Sequence, residues 1–149
     1  MTGTAVPAAR AAALPPGVGP WQRLGGAIAA LSGWRRYSVA FALGALGAAA
    51  LPPVYAFPLL PVALAGLIWL IDGSRRSRAA FAVGWWFGFG HFVAGLYWVS
   101  EALLVEPEKF AWLIPFAVSG IPAYLALFPG AVALVVRRTG VRGWRRIVV

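Results

Sequence analysis

The chain has 149 residues, 61% of them hydrophobic and 11% charged, with a net charge of +9 and no cysteine; its mean hydropathy is +0.79. That is more apolar surface than a soluble domain of this size can bury, so water is excluded as the solvent for most of it. The missing thiols exclude disulfides, thiolate metal sites and cysteine nucleophiles. The positive charges sit in short segments between long uncharged runs, which marks membrane flanks rather than a nucleic-acid surface.

Residues 1–33 are rich in Ala, Gly and Pro with little that buries a core, and are expected to be mobile as far as Pro20. Trp21 and Trp34 bracket an apolar stretch that contains Arg23, so 21–34 fits either a helix lying in the headgroup region or a frayed linker. Arg35 and Arg36 before an apolar run ending in Ala48-Ala49-Ala50 also have the outline of a cleaved signal peptide. The long positive region and the further apolar segment from Pro58 onward argue against that outline.

The uncharged runs cover 37–71, 79–100 and 110–136. The second and third, at 22 and 27 residues, each suit one crossing, because a hydrocarbon core about 30 Å thick needs roughly 20 helical residues. The first, at 35 residues, is too long for one crossing and is interrupted by Leu51-Pro52-Pro53-Val54-Tyr55-Ala56-Phe57-Pro58. Proline lacks the amide donor and clashes with the preceding turn, so the helix breaks there. The expected spans are 37–51, 57–71, 79–100 and 112–136, a transmembrane domain over 37–136 followed by a basic tail, 137–149.

Charge gives an independent reading of the same division. Arg10, Arg23, Arg35 and Arg36 precede the first run; Arg75, Arg76 and Arg78 lie before the second; Arg137, Arg138, Arg142, Arg145 and Arg146 follow the third. If all three groups stay in the cytoplasm, an even number of crossings separates each from the next, and the Pro-broken first run supplies it. Loop 101–109, with Glu101, Glu106, Glu108 and Lys109 but no arginine, is then periplasmic. The expected fold is an all-α membrane protein: a four-helix transmembrane bundle made of a short Pro-broken hairpin and two full spans, with both termini cytoplasmic. Each helix of the hairpin is about 15 residues long, so a re-entrant hairpin obeys the same charge logic.

Within the third span, Gly84, Gly88, His91, Gly95 and Trp98 recur at steps of four and three and share a helix face. Small residues allow another helix to approach closely, so Gly84, Gly88, His91 and Gly95 are expected to meet protein rather than lipid. His91 is the sole histidine; a neutral imidazole bonded to a neighbouring helix accounts for it more simply than catalysis does. Tyr97, Trp98 and Glu101 at the end of this span are candidates for contact with a lipid headgroup or incoming peptide, and equally have the composition of an interfacial belt. In the fourth span Pro115, Pro122 and Pro129 are seven apart, which predicts a helix bent consistently to one side. No phosphate-binding loop, Ser/His/Asp set, intramembrane carboxylate pair or metal-ligand spacing is present, so no cofactor and no metal are expected.

Three stretches carry a family resemblance. Leu43-Gly44-Ala45-Leu46-Gly47-Ala48-Ala49-Ala50-Leu51-Pro52-Pro53-Val54-Tyr55 followed by Phe57-Pro58-Leu59-Leu60 resembles the opening hairpin of bacterial apolipoprotein N-acyltransferases. Gly84-Trp85-Trp86-Phe87-Gly88-Phe89-Gly90 leading to Gly95-Leu96-Tyr97-Trp98-Val99 resembles that family's third span, and Ala123-Tyr124-Leu125-Ala126-Leu127-Phe128-Pro129-Gly130 its fourth. The resemblance runs from about Gly44 to Arg138, most of this chain but only the first part of a family member.

The resemblance implies an inner-membrane enzyme that takes an acyl chain from a phospholipid and transfers it to the N-terminal diacylglyceryl-cysteine of lipoproteins. It further implies a thioester on a catalytic cysteine, supported by a Glu and a Lys, in a nitrilase-like periplasmic domain that follows later membrane helices. None of those three residues can be placed in this chain, so the resemblance makes it the N-terminal membrane part of such an enzyme, inactive alone, with membrane phospholipid and diacylglyceryl lipoprotein as partners of the whole. The alternative from the residues alone is a complete, non-enzymatic four-span protein, a small carrier or assembly subunit.

Overall fold

The computed structural model describes residues 19–52, 54–97 and 115–139, and every regular element among them is helical. In chain order these are α1 (Pro20–Ala29), α2 (Gly33–Ala48), α3 (Leu59–Asp72), α4 (Ser77–Gly95), a π-helical turn (Phe116–Gly120), α5 (Ile121–Leu125) and α6 (Leu127–Thr139). The last three follow one another in a 24-residue helical segment, Phe116–Thr139, the one helix among the described residues long and apolar enough to cross a membrane. Residues 1–18, loop 101–109 and the tail beyond Thr139 lie outside the described residues.

Local chemistry sets the boundaries. Pro20 opens α1 where its missing amide costs nothing. Gly33, at φ +59°, occupies the left-handed region that turns the chain from α1 into α2. α2 starts four residues before the uncharged run because arginine does not break a helix; Arg35 and Arg36 sit in its first turn. It ends at Ala48, where Ala49, Ala50 and Leu51 donate to the carbonyls three residues back, a tightened last turn before the prolines. Tyr55, at φ 55°, then reverses the chain, and the Ala56 amide donates to the Ala49 carbonyl at 3.0 Å to close the hairpin. In the fourth segment the π-helical turn directly precedes Pro122, which cannot donate to the Val118 carbonyl; the wider turn accommodates that loss.

Packing is organised around α4, which touches α2, α3, α5 and α6. At the α2–α4 crossing the place a Cβ would take on Gly44 is filled by the Phe87 carbonyl oxygen, and the place on Gly90 by the Phe41 carbonyl oxygen. The crossing is therefore reciprocal, backbone against backbone, in the geometry of Cα–H···O contacts. On the opposite side Gly84 lies against the Pro129 carbonyl and Ala133, and Gly88 against the Pro129 ring and Ala126. α1 seats Gly25 against the Trp69 ring of α3.

The resulting core is made of small residues. Ala40, Ala63, Ala80, Val83, Leu70 and Ala126 are fully buried, and Leu70 and Val83 are the bulkiest side chains among them. Phe87 joins this core, while many other large side chains face outward: Tyr124 is 65% and Phe128 63% exposed, and Val62, Phe116, Val132 and Val135 are also exposed. Small inside and large outside reverses the arrangement a protein adopts in water.

The helices alternate in direction, and this gathers arginines at one end. The Arg36 guanidinium at the start of α2 donates to the Gly73 carbonyl at 3.0 Å and reaches the Ala29 carbonyl at 3.5 Å, so the ends of α1 and α3 meet the start of α2 beside Arg75 and Arg76. Phe81 of α4 lies against Gly130 while Gly88 meets Ala126, so α6 runs antiparallel to α4 and brings Arg137 and Arg138 towards the Arg78 end. Leucine at Gly44 or Gly90 drives carbon into a neighbouring carbonyl, at an expected cost of about 1–3 kcal/mol. Gly26→Leu, with nothing within 4 Å, is the control. A lower melting temperature in detergent is expected for G44L and G90L but not for G26L; equal values for all three would refute the crossing.

Candidate functional site

α4 carries most of the residues that chemistry would draw on, and the structure divides its small-residue face between two neighbours. Gly84 and Gly88 meet α5 and α6, as above. His91 and Gly95 turn to α2 and its turn: the His91 Nδ1 is 3.3 Å from the Gly44 carbonyl oxygen, and Gly95 has Leu51 Cδ1 at 3.7 Å and Ala48 Cβ at 4.0 Å from where a Cβ would stand. A carbonyl only accepts, so Nδ1 carries the imidazole proton. Tyr97 is 53% exposed at the end of the described stretch; Trp98 and Glu101 lie outside the described residues.

A feature absent from the sequence reading lies on the outer side of the α2–α4 pair. Trp34, Tyr37, Ser38 and Phe41 of α2 and Trp86 of α4 line a cleft of about 210 Å³. Its walls are ring against ring: Trp34 meets Trp86 edge-on at 6.0 Å, and Phe41 meets Trp86 at 6.4 Å and Phe89 at 6.0 Å. Trp85 stacks on Phe89 at 5.2 Å with 9° between planes, and its indole N–H donates to the Ala123 carbonyl at 3.2 Å. The signal was present in the spacing of 34, 37, 38 and 41, which share one helical face, opposite the adjacent Trp85 and Trp86.

Reactive groups are scarce here. The Ser38, Ser74 and Ser119 hydroxyls each donate to the carbonyl four residues back, at Trp34, Leu70 and Pro115, a use that stabilises local backbone and activates no oxygen. Among the described residues no three of His, Cys, Asp and Glu come together. The arrangement holds helices and presents apolar surface; among the described residues no nucleophile is paired with a base.

Comparison with known sequences decides the family. The profile of the apolipoprotein N-acyltransferase N-terminal domain matches residues 43–149. The chain belongs to the apolipoprotein N-acyltransferase family. Over 135 residues it is 48% identical to the apolipoprotein N-acyltransferase of Allorhizobium ampelinum, covering 85% of this chain and 26% of that protein. The Brucella suis apolipoprotein N-acyltransferase is 46% identical over 135 residues, 85% of this chain and 25% of that protein. The Rhodopseudomonas palustris one is 46% identical over 115 residues, 74% of this chain and 22% of that protein. The chain thus spans about a quarter of the length of these curated relatives. No solved structure matches it.

The N-acyltransferase profile begins inside α2, at residue 43, and takes in the Gly44–Phe87 and Gly90–Phe41 crossing apart from Phe41 itself. Trp34, Tyr37, Ser38 and Phe41, one wall of the aromatic cleft, precede it. At His91, replacement by Phe removes the donor to the Gly44 carbonyl, with an expected loss of about 1 kcal/mol. His91→Gln, which keeps a donor, is expected to recover part of the melting temperature that His91→Phe loses. Identical melting temperatures for both variants and the parent would show that the bond contributes nothing.

Proposed function

We propose that this chain is the membrane domain with which an apolipoprotein N-acyltransferase is anchored, and that it forms part of the lipid-side wall along which substrates reach the catalytic part. The whole enzyme moves an acyl chain from a membrane phospholipid to the N-terminal diacylglyceryl-cysteine of lipoproteins. Family membership over residues 43–149 is the observation that carries this reading. In this reading α2, α3, α4 and the segment Phe116–Thr139 are four spans with both ends in the cytoplasm. The many exposed large apolar side chains around a core rich in Ala and Gly support residence in lipid, and the arginines gathered at one end support the orientation. At 16 and 14 residues, α2 and α3 are about 24 and 21 Å long, so the hairpin is the shallowest part of the bundle. Tyr97, Trp98 and Glu101 are the proposed lipid or substrate contacts at the periplasmic end, beside loop 101–109, and the face of Gly84, Gly88, His91 and Gly95 serves helix packing.

Acyl transfer through a thioester requires a thiolate, and none of the 149 residues is a cysteine. The chain alone, given phospholipid and a diacylated lipopeptide, is therefore expected to form no triacylated product. A chimera in which it replaces the matching quarter of the Allorhizobium ampelinum relative is expected to form it. Product from the chain alone, or an inserted but inactive chimera, would overturn the proposal. For the orientation, a cysteine replacing Glu106 is expected to label in intact cells with a membrane-impermeant maleimide, and one replacing Arg75 only after lysis; the opposite pattern inverts the topology.

A further inference from the structure

The described surfaces of this bundle are of two kinds. Where helix backbones approach most closely, the contact residues are Gly against backbone or Ala: Gly44 and Gly90 at α2–α4, Gly84 and Gly88 against Ala126 and Ala133, and Gly47 against Ala63. The aromatic cleft is different. Its walls are Trp34, Tyr37, Phe41 and Trp86, continued along α4 by Phe89, and it contains no glycine and no alanine. Rings hold a second backbone too far away for the close approach on which helix association in lipid depends. A volume of about 210 Å³ also accepts a flexible hydrocarbon chain, whereas a helix is about 10–12 Å across.

Charge identifies the other end of the occupant. The cleft opens beside the first turn of α2, where Trp34 is 72% exposed. Arg35 follows Trp34 directly and stands three residues before Ser38 on the same helix surface; it too is exposed. Arg36, by contrast, is committed to the Gly73 and Ala29 carbonyls. Tyr37 and Ser38 line the cleft, and the Ser38 hydroxyl donates to the Trp34 carbonyl within the helix. The cleft is thus walled by aromatic rings, and an exposed arginine, Arg35, stands next to Trp34 at its first-turn side.

We propose that the cleft is a binding site for an anionic phospholipid of the cytoplasmic leaflet. One acyl chain lies along Trp34, Trp86 and Phe41, and the phosphodiester is held at Arg35. The leaflet follows from the topology of the preceding subsection; the lipid class does not. No covalent step is involved, and the site lies at the opposite end of the bundle from the proposed substrate contacts at Tyr97.

The test places p-benzoylphenylalanine at Ser38 in the purified chain, reconstituted in nanodiscs with equal fractions of phosphatidylglycerol and phosphatidylcholine carrying the same acyl chains. Photolysis is followed by intact-mass measurement. The expected product is a one-lipid adduct favouring phosphatidylglycerol by roughly fivefold, the gain one basic side chain brings near anionic lipid. Arg35→Gln is expected to bring that ratio to about one, and Arg137→Gln, at the same end but on α6, to leave it unchanged. An unbiased ratio in the parent, an equal loss from both arginine variants, or an adduct with polypeptide instead of lipid would each overturn the site. Because nanodiscs expose both faces, this result is independent of orientation, and labelling at position 75 separates a failed topology from a failed lipid site.

Discussion

Two carbonyl oxygens, those of Phe41 and Phe87, occupy the space that side chains would need on Gly90 and Gly44, and the geometry of the rest of the bundle depends on that exchange. In lipid, bringing helices together removes no surface from water, so association has to come from dense contact between backbones and from weak polar contacts such as Cα–H···O. Both are available only where the Cβ is missing. Because α2 and α4 touch at this depth, His91 reaches the Gly44 carbonyl, and of the large residues flanking the glycines Phe87 turns into the core while Trp86 and Phe89 stay half-exposed. Trp86 and Phe89 on α4 and Phe41 on α2 are therefore thrown to the same outer side, which creates the aromatic cleft as a geometric consequence of the crossing.

A second constraint acts at the arginine-rich end. Helix C-termini leave carbonyls without partners, and in an apolar setting these are costly. Arg36 meets the carbonyls that end α1 and α3, and its positive charge suits the negative ends of both helix dipoles. The guanidinium is not fully used, since its Nε is buried without a hydrogen-bond partner. One side chain thus ties the ends of two helices to the start of a third. Arg35, one position earlier and exposed, is left for the surface, so two adjacent arginines have separate physical roles.

Much of the helical plan was legible because membrane solvent imposes a coarse rule. Runs without charge, broken by Pro52 and Pro53, locate α2 and α3; the arginine-free loop and the arginine groups separate the later helices. What the residues could not show was decided by contacts distant in sequence. Nothing within 21–34 distinguishes helix from linker, because α1 is held by Trp69 of α3 against Gly25. α2 was expected to start at 37, since Arg35 and Arg36 read as a boundary, but those arginines lie within the helix and one of them folds back on α3. The glycine face of α4 was legible as a face, yet periodicity cannot say that Gly84 and Gly88 have one neighbour while His91 and Gly95 have another. The spacing of Pro115, Pro122 and Pro129 predicted bending, and the structure relieves the missing Pro122 amide with a π-helical turn, an adjustment that depends on backbone register.

The same solvent argument orders the surfaces by what they can receive. A face of Gly and Ala has little side-chain entropy to lose and permits backbone contact, so it is taken up by helices, as between α2 and α4 and between α4 and α6. A face of Trp, Tyr and Phe presents rigid walls with gaps narrower than a helix, and a hydrocarbon chain fills such gaps because it can change its torsions to follow them. The chain spans about a quarter of its relatives' length, so sorting its faces by residue size separates the surfaces used in folding from those still open. By that criterion α4 is spent on one side and open on the other, and the open side is where Trp34, Phe41, Trp86 and Phe89 converge.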